Sequence, residues 1–164
     1  MSNQGIRGFY QVTEILRNQL LEDINIKTVT TGDISDVNLR KQDIFPMAHI
    51  IINSVTVGEQ TLTFNISVLA MDIVNRSKAK VTDLFTGDNN LQDILNTQLG
   101  VLNKLIQLLR RGGLYEGTST ISENNPYQLE GDVSCEPFFD RFDNELAGWT
   151  ATMDITIYND ITIC

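Results

Sequence analysis

IFPMAHIIINSVTVGEQTLTFNISVLAMDIV, residues 44–74, decides the fold. Two long apolar-rich runs flank Gly58-Glu59, and both are dense in β-branched residues. That pattern predicts a long antiparallel β-hairpin. In the second arm Leu62, Phe64, Ile66, Val68 and Ala70 alternate with Thr61, Thr63, Asn65 and Ser67, the period of a strand with one buried and one polar face. Beyond Val68 the polar face turns apolar as well, through Leu69, Met71 and Ile73. The first arm, MAHIIINSVTV, is apolar on both faces in its middle. Double cover follows, by a helix on one side and a neighbouring subunit on the other. His49, Leu69, Met71 and Ile73 are therefore the candidate subunit-interface residues. The competing reading is a bulged strand buried within one subunit.

Working outward, residues 1–8 are polar and predict a flexible N-terminal arm. Phe9, Val12, Ile15, Leu16 and Leu20 recur at three- and four-residue steps, one stripe of a helix that ends near Glu22-Asp23. Ile26–Thr31 is a β-prone run closed by Gly32-Asp33. Residues 33–46 read as a loop, with Pro46 at a strand entry, where a missing N–H does least harm. After a polar stretch from Asn75, Asn90 is placed to cap a long helix and Asp93 suits its positive end. Leu91, Ile94, Leu95, Leu99, Leu102, Leu105, Ile106 and Leu109 make its broad apolar stripe. Arg110-Arg111 and Gly112-Gly113 stop it. Residues 114–130 predict a long surface loop. VSCEPFFDRF (133–142) and LAGWTATMDITIYNDITIC (146–164) predict a closing strand pair, joined through Phe142–Gly148. Leu95, Leu102, Leu109 and Trp149 are the candidate core. The expected architecture is one α+β domain spanning 1–164: a mostly antiparallel sheet, built from the long hairpin and a C-terminal hairpin, packed by two main helices.

Composition narrows the chemistry. The chain has 164 residues, 41% of them apolar, enough for a single core. No apolar run is long enough to span a membrane. The start, MSNQGIRGFYQV, lacks the basic-then-apolar order of a signal peptide, so a cytoplasmic origin is expected. A formal net charge of −9 argues against binding a phosphate backbone through Lys and Arg, and favours solubility. Cys135 and Cys164 make neither a disulfide framework nor a zinc pattern; one partly buried thiol and one terminal thiol are expected. Any Ser-His-Asp or Cys-His mechanism has to use His49, the single histidine, which lies inside an apolar strand run and reads as a packed or interface residue. Asp140, Asp143 and Glu145 lack calcium-loop spacing. Asp33 and Asp36 read as turn formers. Neither a phosphate loop nor a dinucleotide fingerprint is present, and no cofactor or metal is implied. The residues leave three classes open: an assembly subunit, a small-ligand or peptide-binding module, and an enzyme using His49.

Four stretches taken together carry a resemblance: RGFYQVTEILRNQLLED (7–23), DIFPMAHIIINSV (43–55), TFNISVLAMDIV (63–74) and PFFDRFDNELAGWTATMDITIY (137–158). In this order they resemble neck proteins of tailed bacteriophages, most closely the tail-terminator or tail-completion type of crAss-like and other Bacteroidetes phages. The resemblance implies a non-enzymatic virion protein with a tail-terminator-like α+β subunit, assembled in the host cytoplasm. It implies homo-oligomeric rings, hexameric or, for an adaptor below the portal, dodecameric. Tail-tube and portal or connector proteins are the implied partners, with genomic DNA passing the lumen without sequence-specific binding. It carries over no catalytic residues.

Overall fold

The computed structural model describes residues 7–37, 42–74, 90–110, 127–141 and 145–159. The element order is α1 (Arg7–Glu22), β1 (Thr28–Thr31), two single 3-10 turns (Ile34–Asp36 and Gln42–Ile44), β2 (Met47–Val57), β3 (Thr61–Ile73), α2 (Leu91–Arg110), β4 (Tyr127–Arg141) and β5 (Leu146–Tyr158). The strands form one five-stranded sheet in the order β1-β2-β3-β5-β4. Only the β1–β2 pair is parallel; the other three pairs are antiparallel. The fold is thus α+β, with a mostly antiparallel sheet and two helices.

The predicted hairpin is the middle of that sheet. Its turn closes through a Gly58 N–H bond to the Thr61 carbonyl, 2.8 Å. A bulge between Ile52 and Ser54 inserts Asn53 as an extra residue. It reverses the alternation of the first arm, so that Ala48, Ile50 and Ile52 before it and Val55 and Val57 after it pair with the same-face residues of β3.

One face of the sheet is covered by both helices. Leu62, Phe64, Ile66, Val68 and Ala70 of β3 pack there with Ala48 and Ile50 of β2 and Ala151, Met153, Ile155 and Ile157 of β5. The cover is Val12, Ile15, Leu16 and Leu20 of α1 and Val101, Leu102, Leu105, Ile106 and Leu109 of α2. Burying each large aliphatic side chain contributes about 1.5–3 kcal/mol, so this layer is the main source of stability. Leu102 and Leu109 lie in it as expected, while Leu95 and Trp149 are half-buried at its margin. The Trp149 indole N–H donates to the Leu95 carbonyl of α2 at 2.7 Å, fixing helix to strand.

Several boundaries differ from expectation. Arg7 and Gly8 belong to α1 and not to an arm; residues 1–6 lie outside the described residues. The 114–130 loop is corrected at its end. Tyr127–Glu130 are already strand, while 114–126 lie outside the described residues. Gly131, at φ +67, and the register shift between Glu130 and Ser134 break the alternation there. The connection predicted over Phe142–Gly148 is shorter, because Leu146, Ala147 and Gly148 already pair with Ile73, Asp72 and Met71.

Candidate functional site

The face of the sheet away from the helices divides into an apolar end and a polar field. At the apolar end Phe45, Met47, Leu69, Met71, Phe138 and Leu146 form a second buried cluster. Ile34, Val37 and Ile44, from the segment between β1 and β2, pack over it. The apolar surplus on the second face is therefore covered from within the chain. Met71 is 0% exposed and Leu69 8%, with Ile73 half-buried beside them. The expected neighbouring subunit is not needed at these positions, and it cannot touch Met71 in the folded chain. Ile34, Val37, Ile44 and Phe45 supply that cover.

His49 is also sealed inside the subunit, at 0% exposure. Its Nε2 proton is donated to the Gly32 carbonyl at 3.0 Å, and Nδ1 accepts from the Thr30 hydroxyl at 2.7 Å. Both ring nitrogens thus pin β1 and the turn after it onto β2. Burial pushes the imidazole below its ordinary pKa of 6.5, against smaller opposing effects of the Gly32 bond and the Asp33 charge. A histidine depressed in the folded state adds stability that is complete above about pH 6.5 and is lost as pH falls toward the folded value. Urea denaturation should give a lower midpoint at pH 5 than at pH 7.5, and His49→Gln should flatten that difference. An unchanged slope in the variant would assign the acid sensitivity to other groups.

The polar field is the part of the sheet with a built network. Asn53, displaced by the β2 bulge, donates to Asn65 (2.9 Å) and to Ser67 (2.8 Å). Asn65 donates to Asp154 at 2.7 Å, Ser67 and Thr152 hydroxyls lie 3.0 Å apart, and Thr63 and Thr156 hydroxyls 2.9 Å apart. Thr156 donates to Glu130 at 2.7 Å. These bonds form two groups side by side, one across β2, β3 and β5 and one across β3, β5 and β4, and the ionisable residues in them, Asp154 and Glu130, are both acidic. The alternations in β3 and β5 announce its polar positions. Nothing in sequence announces that they join, since pairing β3 with β5 brings together residues about ninety apart.

Elsewhere the chemistry is sparse. Asp33 accepts from the Ser35 N–H at 2.9 Å, the turn role expected of it. Asp143 lies outside the described residues, as does Cys164. Cys135 is half-buried and burial raises its thiol pKa, which lowers thiolate reactivity. Among the described residues no group of three or more His, Cys, Asp or Glu is placed to hold a metal ion. No described helix is long and apolar enough to cross a membrane. An open cleft of 370 Å³ lies between the end of α2 and the start of β4, lined by Leu109, Arg110, Tyr127, Gln128 and Leu129. The Arg110 guanidinium donates to the Gly131 carbonyl at 2.9 Å. No protein-family model matches the chain, and no curated protein matches it.

Proposed function

We propose that the chain is a structural subunit of a phage neck, forming a ring that terminates the tail tube or joins it to the head connector. The observation that carries this reading is the polar field: a sheet face whose hydroxyls and amides satisfy one another and whose charges, Glu130 and Asp154, are acidic. Such a face repels phosphate, so DNA slides past it without adhering. Turned toward a lumen, it suits passage of a genome. The four resembling stretches lend support, because they include α1 and most of β2, β3 and β5. A ring of identical subunits also needs two different lateral surfaces meeting head to tail, and the two edges of this sheet differ.

Negative-stain electron microscopy of the purified protein tests the reading. Sixfold rings are expected for a terminator. Twelvefold rings would move the subunit to an adaptor below the portal. A protein that stays monomeric at high concentration, alone and with tail tubes, would sink the ring.

A further inference from the structure

α1 carries an ordered stripe on the side that the sheet does not use. Its buried face is Val12, Ile15, Leu16 and Leu20. Opposite that face, Tyr10, Glu14, Arg17 and Leu21 follow one another in steps of four, three and four residues, which stacks them along one line of the helix. All four are exposed, Tyr10 at 54% and Leu21 at 38%. Ile24, two residues past the end of α1, is 97% exposed at the Leu21 end. A stripe that is apolar at both ends and charged in its middle has the pattern of a seam, whereas a solvated helix face is polar throughout. Tyr10 is also braced. Its ring meets Phe9 edge-on with centroids 5.8 Å apart, and Phe9 leans on Phe64 of the core at 6.1 Å. An aromatic side chain already held in place loses little entropy when a partner covers it.

The order of these four residues selects the geometry of a partner. Steps of four and three are those of the a and d positions in a helix-pairing seam, with Glu14 and Leu21 at a and Tyr10 and Arg17 at d. Two such helices running in the same direction bring equal positions together, Glu14 against Glu14 and Arg17 against Arg17. Like charges then meet at two successive layers. In opposite directions a faces d. A twofold axis level with the Ile15–Leu16 step sets Glu14 against Arg17 and Tyr10 against Leu21, and symmetry makes each contact twice. The central charges then pair, and the apolar groups at both ends cover one another.

We infer that the outer face of α1, from Tyr10 to Leu21, is a pairing surface for the same face of a second copy in antiparallel order. Charge complementarity sets the occupant, because this stripe answers itself about a twofold and opposes itself in parallel. The joint places two subunits helix layer to helix layer. The polar field of each copy lies on the far side of its sheet and stays uncovered. The pairing goes beyond the ring reading and does not depend on it.

Sedimentation velocity of the full chain over a concentration series tests it, with Glu14→Arg and Arg17→Glu as variants. Both side chains are exposed, and an unchanged melting temperature of each dilute variant confirms its fold. The parent is expected to pass from monomer to dimer. Each variant alone opposes like charges twice per dimer and should raise the dissociation constant by about tenfold. An equimolar mixture of the two should restore the parental value, because every cross-pair then joins an arginine to a glutamate. The doubly exchanged chain, Glu14→Arg/Arg17→Glu, should restore it alone, which a parallel seam does not allow. A parent that stays monomeric throughout would overturn the pairing, and so would single variants that associate as the parent does or a mixture no tighter than its components. Dimers without rings on the microscope grid would uphold the pairing and sink the ring. Rings whose assembly neither variant alters would sink the pairing and leave the ring.

Discussion

Met71→Asp is expected to abolish the folded state at neutral pH. Met71 has no exposed surface and pairs with Met47 on one side and Gly148 on the other. Around it are Phe45, Leu69, Phe138 and Leu146, none of which can pair with a carboxylate. An ionised carboxylate buried without a partner costs several kcal/mol, and losing the methionine adds about 2 kcal/mol or more. A domain of this size is held by about 5–15 kcal/mol in all, so little or nothing remains. Far-ultraviolet circular dichroism against temperature should show no cooperative transition at pH 7. Any residual stability should rise as pH falls, because protonation removes the buried charge. A variant melting within a few degrees of the parent would mean that water reaches this position, and that the cover by Ile34, Val37, Ile44 and Phe45 opens.

The second large effect is expected of Gly148→Ala. Gly148 pairs with Met71 near the Ile73–Leu146 end of the β3–β5 ladder. A Cβ built there meets the Ala70 carbonyl oxygen head on, and also the Met71 Cα at 2.9 Å. Both are backbone atoms of a strand paired on its two sides, so no side chain can rotate away. The strands must separate locally and the ladder must weaken. A cost of about 3 kcal/mol follows for such overpacking, which lowers the melting temperature by roughly 6–12 °C in a chain of this length. Gly100→Ala is the matching control. Gly100 is exposed on α2 with nothing within 4 Å of an added Cβ. Removing a glycine from a helix interior should stabilise by about 0.5–1 kcal/mol. Differential scanning calorimetry of the two variants should move in opposite directions. Equal shifts would defeat the steric account.

The elements with clean periods were legible before the structure. The β3 and β5 alternations lie where their periods place them, and so does most of the α2 stripe, although Leu99 is exposed and Gln98 buried in its stead. What a period cannot encode is which distant segment covers a face. The apolar surplus at Leu69 and Met71 was visible, but its cover by Ile34, Val37, Ile44 and Phe45 was not, because those residues sit in irregular backbone with no repeat to read. For the same reason His49 read as an interface candidate, although Thr30 and Gly32 already engage both its nitrogens. The bulge at Asn53 hid the polar side of β2 by shifting its period. Gly131 did the same to β4, so Tyr127–Glu130 looked like loop. The candidate site was legible in pieces: the threonines and asparagines of the open face were plain, while their hydrogen bonds depend on strand order.

The bond from the Trp149 indole to the Leu95 carbonyl also has an optical consequence. Trp149 is the single tryptophan of the chain. It stands on β5, the strand that unites two locally formed ribbons, β2–β3 and β4–β5, into one sheet. Each ribbon forms from residues near in sequence, whereas the seam between β3 and β5 waits for the far end of the chain, and such non-local closure is slow. The emission of Trp149 shifts when its ring enters the margin of the core and its N–H finds the helix. Intrinsic fluorescence in a stopped-flow refolding experiment therefore times the seam, not the ribbons, and follows assembly of the sheet with no label added.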